Sequence, residues 1–191
     1  MSPQASAAEE IRRIYDQVIA QGVKPRSIEG ATDEEIDRWA LAQHVNSVPE
    51  AVRAVLHLIG AEHGRWLAGS SVGTRVGGMS KRAAGAVLDR HHNAMADSVG
   101  MLVLVDHQSY AFHVIDGAAL TTENPPVWSI TEDSGARIGW PSVTAWFEAN
   151  SPDVRAIRER LEVMHEAGYW IPPGWSEDID LDILEQRDNS E

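Results

Sequence analysis

Eight histidines and no cysteine set the terms of any chemistry in this 191-residue chain. Without a thiol there is no disulfide, no zinc–thiolate centre and no cysteine nucleophile. Imidazoles and carboxylates are left to supply bases and ligands. His91 and His92 are neighbours in sequence. On a helix adjacent side chains diverge by about 100°, so these two do not grip one ion as an i, i+4 pair does. His91 falls on an apolar stripe and reads as a partly buried, hydrogen-bonded ring, with His92 at the surface. His107 lies in the polar join between two apolar runs, and His113 lies within the second run. A mixed site drawn from His91, Asp97 or Asp106, and His107 would have to be assembled by the fold, because no spacing in the sequence builds it.

The serines and carboxylates offer partial motifs. Gly69-Ser70-Ser71-Val72-Gly73 fits the pattern G-x-S-x-G with Ser71 at its centre. A nucleophile elbow needs a strand before it and a helix after it, and neither is expected here. The wider stretch Gly60–Gly78 is glycine-rich but carries neither Gly-Lys-Ser/Thr nor G-x-G-x-x-G, so it reads as a loop or irregular edge strand pinned to the core by Trp66 and Leu67. Asp178, Asp180 and Asp182 imitate the start of a calcium loop. Ile183 stands where that loop turns on glycine, however, and Asn189 where it needs a bidentate acid. The expectation is therefore no catalytic residue, no metal and no cofactor. Trp39 and Trp146 read as core and Trp128 as a sheet residue. Trp170 and Trp175, set among prolines and acids, are candidate partner contacts, since binding energy concentrates on tryptophan.

Charge separates the two halves of the chain. Residues 1–95 hold eleven acids and eleven lysines or arginines, and balance. Residues 96–191 hold eighteen acids against five arginines and carry the whole net charge of −13. That half repels nucleic acid and anionic membranes and attracts a basic protein. Met1 to Glu10 has no basic segment followed by an apolar core, and no apolar run approaches a membrane span. A cytoplasmic protein without a membrane partner is expected.

These residues must be positioned by elements that periodicity predicts. Ser6 and Glu9 form a capping box ahead of a helix to Gln21, with Ile11, Ile14, Tyr15 and Val18 as its stripe. Thr32 and Glu35 open a second helix facing inward through Ile36, Trp39 and Ala40. Ser47-Val-Pro-Glu50 starts a third, with Pro49 in its first turn and Val52, Val55, Leu56 and Ile59 on one face. A fourth helix is expected over Ser80–Ser98. Met101–Val105 and Tyr110–Ile115 form an antiparallel hairpin, because so short a join excludes a parallel pair. Its turn is placed at Asp106–Ser109, and the first strand is buried on both faces. Strands at 127–130 and 136–139 follow, then helices at 143–149 and from Pro152 to Gly168. Beyond them Asp178–Ile183 alternates acid and apolar, as either a strand or a short acidic helix. The fold class is α+β, an antiparallel sheet of about four or more strands flanked by N-terminal and C-terminal helices. At this length the chain reads as one domain, 1–191, with a core large enough to need no staple.

Gly30-Ala-Thr-Asp-Glu-Glu-Ile36, Val48-Pro-Glu50 opening Val52–Ile59, the hairpin Leu102–Ile115, Pro126-Val-Trp128 and the Ser142–Glu148 helix with Trp146-Phe147 together resemble the SUKH superfamily in pattern and order. The resemblance covers about residues 28–149. Ala51-Val52 departs from it where an aromatic is usual. The resemblance implies an α+β domain that works without catalysis, most often as an immunity protein binding a toxin and otherwise as a regulatory scaffold. An acidic second half suits neutralisation of a basic, nuclease-like toxin by occlusion of its cationic surface. Glu177, Asp178, Asp180 and Asp182 are then the expected charge, and Trp170 and Trp175 the anchors. The alternatives are a regulatory scaffold or interaction module and, less in keeping with the residues, a hydrolase or metalloenzyme.

Overall fold

Two reciprocal capping boxes start the first helices. The computed structural model describes residues 5–91, 93–171 and 178–179. Ser6 Oγ accepts from the Glu9 amide at 3.2 Å while the Glu9 carboxylate accepts from the Ser6 amide at 2.8 Å, at the head of α1 (Ala7–Ala20). Thr32 and Glu35 repeat the arrangement at the head of α2 (Asp33–Ala42). In α3 (Glu50–Ile59) Pro49 occupies the cap itself, one place earlier than expected. Between and after these helices, β1 (Ile28–Glu29) pairs with β2 (Glu62–His63) as a small antiparallel ribbon.

The main sheet has five antiparallel strands in the order β3 (Ser71–Val72), β4 (Leu102–His107), β5 (Ala111–Ile115), β6 (Val127–Thr131), β7 (Gly135–Trp140). The glycine-rich stretch thus does contribute a short edge strand, β3. Its remaining helices are α4 (Gly78–Leu88), α5 (Val143–Ala149) and α6 (Val154–Glu166). Both sheet faces are covered, as a continuous apolar strand requires. Leu102, Leu104, Val105, Ile115 and Val127 join the cluster built by α1, α3 and α5. Val103, Phe112, Val114 and Ile130 meet Ala84, Val87 and Leu88 of α4 on the other face. In the larger cluster the Trp66 ring is stacked between Tyr15 and Phe147, with centroids 5.7 and 5.6 Å away. The fold is α+β.

Three local features differ from expectation. First, α4 ends at Leu88, ten residues before Ser98. The buried carboxylate of Asp116 accepts from the amides of Ala96 at 2.7 Å, Asp97 at 2.8 Å and Ala118 at 3.0 Å. Asn93 Oδ1 takes the Met95 amide. Side-chain acceptors have captured donors that a helix would use, and His91 therefore lies beyond the helix; His92 is outside the described residues. Second, the hairpin loop is 108–110, with Gln108 and Ser109 at φ 51° and 66°. His107 belongs to the strand and Tyr110 to the loop, the reverse of the sequence expectation. The Asp106 carboxylate accepts from the Ser109 amide at 2.7 Å, which stabilises this left-handed turn.

Third, β4 carries a bulge between Val103 and Val105. Leu104 and Val105 both enter the α1/α3/α5 cluster, so the alternation reverses from that point. Asp106 then meets Ser80 of α4, whose Oγ donates to it at 2.6 Å, and His107 comes to the face of His113. Upstream of the bulge β3 is too short to cover β4. The fully buried side-chain amide of Gln43 takes its place: Nε2 donates to Val103 O at 3.0 Å, and Oε1 accepts from Val103 N at 2.9 Å.

Candidate functional site

The segment after α6 is where the sequence placed partner contacts. Gly168, at φ 69°, ends the helical path and releases Tyr169 and Trp170 outward, 68% and 76% exposed. Val163, one turn earlier on α6, is exposed as well. Three large, mainly apolar side chains thus stand in the open within eight residues of chain. Only Val154 and Leu161 of α6 are fully buried, so much of this helix remains accessible.

Asp178 has a structural occupation. Its Oδ2 lies 2.9 Å from Arg65 Nη2, its carbonyl accepts from the Lys24 amide at 2.8 Å, and the next residue, Ile179, is fully buried and bridges antiparallel to Val23. The Asp178 carbonyl and Ile179 thus clip this segment to the loop after α1, while the carboxylate ties it to Arg65, beyond β2. The charge of Asp178 is matched by Arg65. Trp175, Glu177, Asp180 and Asp182 lie outside the described residues, as does the choice between strand and helix for 180–183.

The fold also assembles a chain of polar side chains from four separate parts of the sequence. Trp146 Nε1 lies 3.0 Å from His113 Nδ1, His113 Nε2 lies 3.3 Å from His107 Nε2, and His107 Nδ1 lies 2.6 Å from Ser70 Oγ. Trp140 abuts the His113 ring edge-on at 4.6 Å. Elementary valence fixes the protons. Indole is a donor only, so His113 Nδ1 must be the acceptor. Neutral His113 then carries its proton on Nε2 and donates to His107 Nε2. His107 in turn carries its proton on Nδ1 and donates to Ser70. Burial depresses both imidazoles, His113 to about 3 with further lowering by His107, which keeps them neutral.

This polarity decides what the chain can do. A general base for Ser70 needs a bare nitrogen facing the hydroxyl, whereas His107 presents a proton there. The Nε2–Nε2 separation would suit two ligands of a tetrahedral ion, but a metal on His113 Nε2 requires a proton on Nδ1, where Trp146 already directs its own. The arrangement is a proton-ordered wire that cross-ties the residue before β3 to β4, β5 and α5.

The other sequence candidates are dispersed. His91 Nε2 pairs with Glu132 O at 2.7 Å, Asp97 accepts from the Gly100 amide at 2.8 Å, and Asp106 holds Ser80 and Ser109. No group of three His, Cys, Asp or Glu able to hold a metal occurs among the described residues. Ser71 is exposed on β3, opposite Asp106, and only the single 3-10 turn Gly73–Arg75 follows the strand, in place of the long helix an elbow requires. Among the described residues no helix is long and apolar enough to cross a membrane. The signal for the wire was present as a hairpin centred on Ser109, which makes His107 and His113 diagonal neighbours. Ser70 had no such signal, because the path of the glycine-rich stretch is set by packing. No family model, curated protein or solved structure matches this chain.

Proposed function

We propose that this chain is a non-enzymatic, cytoplasmic protein-binding domain that neutralises a bacterial toxin with a basic, nuclease-like active surface, on the pattern implied by its resemblance to SUKH immunity proteins. The observation that carries the reading is the exposed Tyr169–Trp170 pair at the end of α6, within the half of the chain that holds the entire net negative charge. Aromatic anchors supply affinity, and surrounding acids steer a cationic partner. The role of Asp178 is narrowed to holding the segment in place, with Trp170 and Trp175 as anchors and Glu177, Asp180 and Asp182 as steering charge. Two features support the non-catalytic half of the reading: the proton order of the Ser70–His107–His113 chain and the dispersal of the other histidines and acids.

The test is to capture partners on the tagged full chain and co-express each with it. The expected result is one dominant basic protein, eluted by salt, that stops growth when expressed alone and is silenced by this chain. Trp170→Ala should weaken that complex by more than about tenfold, the size expected of an anchor worth about 2 kcal/mol. Several unrelated, non-toxic host partners would replace this reading with that of a regulatory scaffold.

A further inference from the structure

On the opposite face of the sheet from α1, α3 and α5, a cleft of about 730 Å³ runs along α4. This volume lies within the several hundred to about 1,000 Å³ typical of small-molecule sites. Its lining includes cationic and hydrogen-bonding groups from three parts of the chain: His44 after α2, Lys81 and Arg82 on α4, and His91 and Asn93 beyond it. Exposed Val99 and the edges of the largely buried Leu88 and Met101 supply apolar lining. Among the described residues Asp89 is the single acid lining the cleft.

No carboxylate among the described residues is within ion-pair distance of Lys81 or Arg82. Lys81 is partly buried, and its Nζ donates at 2.7 Å to the carbonyl of Gln43, the residue whose side chain is locked to Val103. The ammonium is therefore positioned by a rigid backbone, and burial lowers its pKa against a smaller opposing effect of Asp97. A partly buried ammonium whose carboxylate neighbour Asp97 stays beyond ion-pair range leaves a place for a further anionic partner. The same helix has Gly77 at its cap, no side-chain capping bond and no acid in its first turn. Cations in its second turn oppose the helix dipole, the reverse of the favoured arrangement. Gly78 lines the cleft within reach of the Ala42 carbonyl, where an added Cβ would lie 2.8 Å from that oxygen.

We infer that this cleft binds a small organic phosphate: the anionic group lies against Lys81, Arg82 and the amino end of α4, and an apolar body lies against Val99 and the edges of Leu88 and Met101. Both residues line the cleft, and although adjacent helical positions diverge, the long stems of lysine and arginine let a point charge and a planar fork reach one phosphate, while the amides of a helix end without a side-chain cap add donors of the same sign. The site is independent of the toxin-binding surface and survives the failure of that proposal.

The experiment is a titration of the full-length protein with phenyl phosphate, and separately with inorganic phosphate, followed by amide NMR shifts. Saturable shifts are expected at residues 78–82 and 99–101, with a Kd of about 1 mM or tighter for phenyl phosphate and weaker binding of inorganic phosphate. Lys81→Met and Arg82→Met should each weaken phenyl phosphate about tenfold or more while leaving the thermal midpoint close to that of the parent. Non-saturating shifts with both probes would overturn the inference, as would undiminished binding by the Lys81→Met/Arg82→Met double variant. Binding of a hexaglutamate peptide at these amides without binding of either phosphate would also overturn it, and would make the cleft a peptide groove.

Discussion

His113 is buried as a neutral ring whose two nitrogens are both committed, one to Trp146 and one to His107. The unfolded chain would bind a proton there near the ordinary histidine value of 6.5, whereas the folded ring resists protonation down to about 3. Between those values the unfolded state holds more protons, so stability must fall as pH falls, by up to about 1.4 kcal/mol per pH unit. His107 and His63 are depressed by burial too and act in the same direction. Urea midpoints at about pH 7.5 and about pH 5, above most carboxylate titrations, should differ markedly in the parent and much less in His113→Gln. An equal pH dependence in the two proteins would remove His113 as the cause. Gln43 is a second residue whose role the sequence concealed, because a glutamine after a helix reads as surface. Its replacement by alanine leaves Val103 with two unpaired backbone groups and should cost about 2–4 kcal/mol in a denaturation curve.

At the scale of elements, α1, α2, α3 and α5 were legible because each pairs a capping signal or proline start with an apolar stripe. Ile11, Ile14 and Val18, then Ile36 and Trp39, then Val52, Val55 and Ile59, face the core as their spacing requires. The hairpin was legible for the same reason, down to the burial of Leu102–Val105 on both faces. The end of α4 was not. Its continuing apolar spacing through His91 and Met95 is overridden by a carboxylate twenty residues away, and no local pattern records that. Asp116→Ala should therefore act first on the segment 89–101: amide exchange at Ala96 and Asp97 should rise before that of β4, with a global loss of about 2–3 kcal/mol. Uniform acceleration across the sheet would mean that the segment and the sheet open as one unit. The bulge at Val103/Val105 was equally invisible, since alternation in an all-apolar run carries no phase. It nevertheless decides which face receives His107.

Across the whole molecule, the charge asymmetry read from composition keeps its meaning only for acids that are not already engaged. Asp178 is matched by Arg65, Glu10 by Arg13, and Asp33 and Asp37 by Arg53. Reversal of Asp180 and Asp182 to lysine should slow association with a basic partner, and the parent on-rate should fall steeply as salt is raised. Asp178→Lys should instead loosen the C-terminal segment, detectable as proteolysis near residue 171 at unchanged ionic strength. An on-rate indifferent both to salt and to the double reversal would leave charge out of recognition altogether. The short β3 has a consequence of its own. A two-residue edge strand leaves the apolar stretch Leu102–Leu104 guarded, on its outer side, by the amide of Gln43. Natural sheets defend such edges because an open one recruits further chains. When that amide is lost or swings aside, one molecule presents to the next a hydrophobic template ready to extend, so Gln43→Ala should shift heated samples from reversible unfolding toward concentration-dependent aggregation, visible as light scattering.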